Sequence, residues 1–342
     1  MKPGTKKLLN FCLIFGTLLV VLLVGVNGEE MSGAVNALRS IEPQWILLCA
    51  LSYLATVALD AGSLHYFLRR QGQGISYPYA VMVSILGSYY SNITPGASGG
   101  QPMQIYYMAK RKVSVGVATS ALTVKFFCFQ FMLAVLGTVL WIANGPFIYE
   151  QLGRNRWILI VGYSYNCFSV GLVLLMALVK KPVQVILRLA LHLGKKLRLV
   201  KDEAATLAKC NEVHDTFYDS IRQIARHPID LMVQMLYAAL HLLSLMVVIY
   251  FLYQAFGLSG IGYWQLTALG LMLYTSAAYT PLPGASGAQE GVFALYFSQV
   301  FPDGIRLMAL LLWRFFTYYV SLIVGAVMSV VYGFLSGRHR DR

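Results

Sequence analysis

A seven-residue string, Pro95-Gly96-Ala97-Ser98-Gly99-Gly100-Gln101, recurs almost unchanged as Pro283-Gly284-Ala285-Ser286-Gly287-Ala288-Gln289, each time inside a strongly apolar region. Few sequence features constrain a fold more. Proline lacks the N–H a helix needs, and glycine admits positive φ, so each copy must break a helix. In apolar surroundings the broken backbone must then be satisfied by protein or by a wet cavity. Each copy follows a Thr-Pro step, Thr94-Pro95 and Thr280-Pro281, and each is followed downstream by an isolated cation, Lys125 in Val124-Lys125-Phe126-Phe127 and Arg314 in Trp313-Arg314-Phe315-Phe316. Together these parallels read as an internal structural repeat.

The 342 residues are 58% hydrophobic and only 12% charged, with a mean hydropathy of +0.63. Soluble domains carry roughly 25% charged residues. The fold class is therefore an all-α integral membrane protein. The net charge of +13 is read against the membrane, where basic residues crowd cytoplasmic span ends and attract anionic headgroups. No soluble basic domain is left to bind nucleic acid. Cys12, Cys49, Cys128, Cys167 and Cys210 lack zinc-ligand, redox or disulfide spacing, so no metal or cofactor is expected.

Lys2, Lys6 and Lys7 precede an apolar run from Leu8 to Val26. It exceeds the roughly 7–15 residues of a signal h-region and reads as a retained first span with its basic end inside. A second span, Trp45 to Phe67, carries Asp60 and ends at Arg69-Arg70. Residues 78–109 hold two apolar pieces too short for the roughly 20 residues of a span, separated by the motif and closed by Lys110-Arg111-Lys112. They predict a re-entrant hairpin with the motif at its tip. Spans at Val113–Ala143 and Trp157–Val179 follow, with an outside loop around Asn144–Arg156. Residues 180–228 are basic and cytoplasmic. Val185, Ile186, Leu189, Leu193 and Leu197 have the spacing of an amphipathic surface helix, and a solvated connector fits equally. A span at Ile229–Phe256 opens the second half, residues 263–300 form a second hairpin, and Leu307–Leu335 is the last span. Positive-inside places both termini in the cytoplasm, so the hairpins enter from opposite sides. The expected architecture is six full spans plus two re-entrant hairpins in an inverted repeat, dividing the chain into halves 1–179 and 229–342 around the connector. Such repeats suit alternating-access transporters. Either hairpin could alternatively be two thin full spans.

The motifs offer small residues, a free hydroxyl on Ser98 and Ser286, exposed N–H groups and positive half-helix ends, all favourable to an anion such as phosphate. Gly99, Gln101, Gly287 and Gln289 belong to the same candidate headgroup site. The competing reading is close helix packing by small residues. Lys125 and Arg314 lie roughly 15 Å into their spans, where a charge costs at least about 2.5–3.5 kcal/mol. They read as phosphate ligands, Arg314 first because its fork is bidentate, or as internal ion pairs with Asp60 and Glu290. Glu290 stands where the first copy has Pro102. It could bind a cationic headgroup, relay a proton or neutralise Arg314. His241 could titrate near neutral pH or simply pack, and His65 is a weaker candidate. Tyr89, Tyr90, Tyr274 and Tyr279 flank the hairpins. Zinc-ligand His pairs, Walker loops and a Gly-x-Ser-x-Gly elbow are missing, and no enzyme activity is expected.

The stretches Asn92–Pro102 and Thr280–Glu290 resemble the two signatures of the lysylphosphatidylglycerol synthase transmembrane-region family, also called flippase-like, which includes the membrane half of the multiple peptide resistance factor. An acidic residue commonly stands there in place of Gln101. The resemblance spans nearly the whole chain and implies translocation of phosphatidylglycerol-type or aminoacylated lipid between leaflets of a bacterial plasma membrane. The chain ends shortly after its last expected span, so the soluble aminoacyl-transferase domain is not expected in it. The partner implied is an anionic or aminoacylated phospholipid, and a homo-oligomer is compatible. Two other readings stand beside it, a proton-coupled transporter of a small soluble anion and a non-transporting membrane subunit.

Overall fold

The computed structural model describes residues 41–178, 203–277 and 280–338. The expected first span and the surface helix around residues 185–197 lie outside these residues. Every regular element described is helical. Helix α1 is Pro43–Arg70, α2 Tyr77–Asn92, α3 Gly100–Ala109, α4 Val115–Leu152, α5 Arg156–Leu178 and α6 Glu203–Ala225. Helix α7 is Pro228–Ala255, α8 Tyr263–Ala277, α9 Ala288–Tyr296, α10 Asp303–Arg314 and α11 Val320–Arg338. Starts and stops follow local chemistry. Prolines occupy the first turns of α1, α2 and α7, where their missing N–H costs nothing. Arg69 and Arg70 close α1, opposite the negative end of its dipole.

Among the described residues, four stretches are long and apolar enough to cross a membrane, Pro43–Arg70, Val115–Leu172, Pro228–Ala255 and Asp303–Gly333. The second turns sharply at Gly153, with φ +48°. Helix α5 then packs back on α4, where the Tyr163 hydroxyl bonds Thr138 and its ring lies 4.7 Å from Trp141. Apolar stripes run along the outside of these helices. Leu47, Leu51 and Leu54 on α1, Ile229, Met232 and Leu236 on α7, and Ile323, Val327 and Val330 on α11 are all exposed, at the spacing of single helix faces. Hydrocarbon is the solvent such faces require. The protein is a multi-pass membrane protein.

Two details differ from the sequence expectation. The outside loop around Asn144–Arg156 is mostly helix, since α4 runs on to Leu152 with only a kink at Asn144 (φ −121°). Pro146 follows the kink, and proline is as acceptable at the start of a restarted helix as at any first turn. The described part of the connector is not a free solvated linker. Ile221 and Ile224 of α6 are buried, and Ser220 donates to Ser120 of α4 at 2.8 Å.

The interior forms two apolar cores, each built around one motif-bearing helix pair. The first joins Leu64 and Leu68 of α1, Val83 and Leu86 of α2, Met108 of α3 and Val124 of α4. The second joins Leu133 and Ile148 of α4, Leu159 of α5, Leu252 of α7, Leu271 of α8, Phe293 of α9 and Trp313 of α10. Helices α1, α4 and α7 contribute to both, so they tie the two units together.

Candidate functional site

The first motif is the bend between α2 and α3, which run antiparallel. Tyr79 donates to the Tyr107 carbonyl at 2.8 Å, and nearer the bend a Cβ on Gly100 would meet Ser91 and Gly87. The first half of the bend is the same in both copies. Gly96 (φ +58°) and Ala97 (φ +54°) match Gly284 (φ +60°) and Ala285 (φ +50°). Ser98 and Ser286 each donate to the proline carbonyl three residues earlier, at 3.0 and 2.9 Å. The seryl protons expected to be free are spent on closing the turn.

Several of the N–H groups expected to be exposed at the tips are also taken. In the first copy, Ala97 and Ser98 donate to Thr94 and Pro95 carbonyls, and the Gly99 amide donates to Thr94 Oγ1 at 2.9 Å. In the second copy Gly287 leaves the helical region, with φ +86°, and its amide donates to Glu290 Oε2 at 2.6 Å. The anion held at this helix start is the protein's own carboxylate.

The tips touch each other. The Gly96 amide donates to the Pro281 carbonyl at 3.2 Å, and Tyr318 Oη donates to the Asn92 carbonyl at 3.3 Å. Tyr318→Phe is expected to keep the ring in place and cost about 1 kcal/mol. Hydrogen exchange at the Gly96 amide should rise, and an unchanged rate would mean the tips do not depend on this bond.

Arg314 is 3% exposed and Glu290 7%. Its Nε donates to Glu290 Oε1 at 2.6 Å, Nη1 to Gln289 Oε1 at 2.6 Å and Nη2 to the Gly284 carbonyl at 3.2 Å. The guanidinium also lies over the Tyr318 ring, 4.6 Å from its centroid. Immediately after Arg314 the helix opens into a π segment, Phe315–Tyr319, a distortion common at functional positions. Arg314 is thus the clamp of the second tip.

Lys125 is placed differently. Its Nζ lies 2.8 and 2.9 Å from the two Asp60 oxygens, and both side chains are about a fifth exposed, 23% and 19%. They face a cavity of about 350 Å³ that also touches Gln101, Gln104, Gln234, Tyr237 and His241. A second cavity, of about 510 Å³, touches Gly96, Ala97, Gly284, Gln289 and Arg314. Ser91, Asn92, Leu245 and Thr317 line both, so the joined tips stand between two chambers of mixed polar and apolar lining. The geometry brings Lys125, Asp60 and Gln101 to one chamber and Arg314 and Gln289 to the other. Ser98 is exposed, Ser286 and Glu290 are buried, and Gly99 and Gly287 shape the turns.

The sequence matches the family described as lysylphosphatidylglycerol synthase TM region over residues 9–325. The chain belongs to that family. Among curated proteins none matches it.

In this lysylphosphatidylglycerol synthase TM region protein, the remaining sequence candidates separate clearly. His241 lines the first chamber with its ring edge-on to Phe129. His65 Nδ1 sits 2.8 Å from the Ile75 carbonyl, away from both chambers. Tyr89 packs over Gly325, and Tyr90 Oη lies 3.1 Å from Ser329 Oγ, fastening the first hairpin to α11. Tyr274 lines the second chamber, and Tyr279 lies outside the described residues. Sequence reasoning missed Tyr318 and the Ser63–Gln234 bond at 2.5 Å. Only the second carried any signal, as polar residues recurring within apolar spans. It also missed the ion pair of Arg70 with Asp230, 3.0 Å apart, to which Tyr66 adds a bond at 2.6 Å.

Proposed function

We propose that this protein moves phospholipid, of phosphatidylglycerol type or its aminoacylated form, between leaflets of a bacterial plasma membrane without covalent change to the lipid. The observation that carries the reading is the pair of chambers, each with charged and polar side chains set among apolar ones, meeting at two contacting motif tips inside a body whose outer helix faces are apolar. In this reading the α2–α3 and α8–α9 hairpins are re-entrant and enter from opposite sides, as an inverted repeat. Helix α2 has 16 residues and α3 has 10, about 24 and 15 Å, each short of a roughly 30 Å hydrocarbon core. The headgroup travels through the chambers while its tails stay in the bilayer.

The ranking of the two cations changes with the geometry. Lys125 is partly exposed in a chamber and acts as the phosphate ligand, meeting the headgroup with the proton that Asp60 leaves free. Arg314 is enclosed and engaged by several acceptors, so it holds the tip. Gln101 and Gln289 face the passage, while Ser286, Gly287 and Glu290 shape it.

The test is translocation of fluorescent phosphatidylglycerol in proteoliposomes, followed with a membrane-impermeant quencher. The double variant Asp60→Asn, Lys125→Gln keeps the chamber neutral overall and should fold. It is expected to slow translocation by about tenfold or more, the scale of losing one charge-assisted contact. Wild-type rates in that variant would remove Lys125 from the pathway. Wild-type traces matching empty vesicles, beside saturable uptake of a soluble anion, would replace the lipid reading with that of a soluble-anion transporter.

A further inference from the structure

Resting on the lipid reading above, we propose that the first chamber selects an uncharged, hydroxyl-rich headgroup joined through a single phosphate, and rejects headgroups that carry ammonium groups. The lining of the chamber supports this choice. Its charged side chains are Asp60 and Lys125, and the rest of its polar lining is the His241 imidazole with hydroxyls and primary amides, including Ser63, Ser88, Gln101 and Gln234. Hydroxyls and amides both donate and accept, and so do the hydroxyls of a polyol. Three further lining oxygens, Tyr53 Oη, Ser84 Oγ and Ser321 Oγ, are buried in the same wall, Tyr53 beside Ser321 and Ser84 beside Asp60. Buried polar atoms in native proteins find partners, in protein, water or ligand, and a hydroxyl that bonds one neighbour keeps a further lone pair for a ligand hydroxyl. Phe126, Phe129 and Phe316 add apolar faces against which the C–H side of a polyol can lie.

The carboxylates decide against a cationic headgroup. Both oxygens of Asp60 are held by Lys125. Glu290 lines neither chamber, and its two oxygens are taken by Arg314 and the Gly287 amide. The second chamber adds a further cation, Arg314, and no carboxylate to its lining. A lysyl headgroup brings two ammonium groups and one phosphate. It would have to pull Asp60 from Lys125 and then sit beside that cation, and like charges brought together in this way are strongly disfavoured. A glycerol- or inositol-type headgroup brings one phosphate, which the third proton of Lys125 can meet, and hydroxyls for the lining hydroxyls and amides.

Binding can be measured apart from transport. Full-length protein in detergent would be titrated with dihexanoyl phosphatidylglycerol, dihexanoyl phosphatidylinositol, dihexanoyl lysyl-phosphatidylglycerol and soluble glycerol phosphate. The two polyol lipids should bind at least about tenfold more tightly than the lysyl lipid. Ser84→Ala should weaken the polyol lipids a few-fold without changing the unfolding temperature. Gln101→Glu adds a carboxylate at an exposed lining position on the first turn of α3, where acidic residues are tolerated, and should narrow the preference. Equal or tighter binding of the lysyl lipid to the wild type would overturn the proposal. So would an unchanged preference in the Gln101→Glu variant. Selective binding without translocation would remove the lipid-moving function and leave the headgroup class standing. Glycerol phosphate binding as tightly as the lipids would assign the chamber to soluble polyol phosphates instead.

Discussion

Replacing Arg314 with Ala is expected to cost about 3–5 kcal/mol of stability, because it leaves Glu290 buried without its counter-charge. The loss reaches further than the ion pair. Gln289 Oε1 and the Gly284 carbonyl also lose their donor, and Tyr318 loses the guanidinium over its ring. Thermal unfolding in detergent should drop markedly for Arg314→Ala and for Glu290→Ala. The double variant Arg314→Met, Glu290→Leu should recover part of the loss, since exchanging a buried pair for apolar side chains is often close to neutral. Lys125→Ala should destabilise less, because Lys125 and Asp60 keep access to the chamber. Equal stability of Arg314→Ala and wild type would refute the clamp.

The second large effect comes from comparing the two copies of one glycine. A Cβ at Gly284 would stand 2.1 Å from Cε2 of Tyr318, whereas one at Gly96 meets nothing within 4 Å. Their φ values, +60° and +58°, are nearly equal. Gly96→Ala should therefore carry only the left-handed backbone penalty, roughly 1–2 kcal/mol. Gly284→Ala adds overpacking of about 1–3 kcal/mol and pushes Tyr318 away from both Arg314 and Asn92. Unfolding temperatures should rank wild type, Gly96→Ala, Gly284→Ala from high to low. In vesicles, Gly284→Ala should lose translocation even at temperatures where it is folded. If the two variants fall equally, the backbone and not Tyr318 sets the requirement for glycine.

Much of this was legible in the residues. Two near-identical Pro-Gly-Ala-Ser-Gly strings forced two broken helices, and the φ values of their Gly-Ala pairs repeat within a few degrees. The apolar helices Pro43–Arg70 and Pro228–Ala255 followed from hydropathy alone. Lys125 and Arg314 stood out because isolated cations in apolar runs need partners, and Asp60 and Glu290 were the acids at hand. Three things were hidden. The kink at Asn144 looks like a loop in sequence because Asn-Gly-Pro punctuates both. The π segment after Arg314 leaves no compositional trace. The division of labour between the two cations depends on exposure, 3% for Arg314 against 23% for the Lys125 side chain, and residue type does not encode depth.

The sequence by itself determined that this is a helical membrane protein of the lysylphosphatidylglycerol synthase TM region family, with two equivalent breaks and two charges that had to be neutralised. Those properties are local. Hydropathy, proline and glycine stereochemistry and the cost of a lone charge act over a few residues. Only the tertiary structure decided that the two tips bond to each other through Gly96 and Pro281 and through Tyr318 and Asn92. It also decided that Arg314 closes one tip while Lys125 faces an open chamber. Those facts rest on contacts between residues far apart in the chain, where distance and burial, not residue identity, set what a side chain can do.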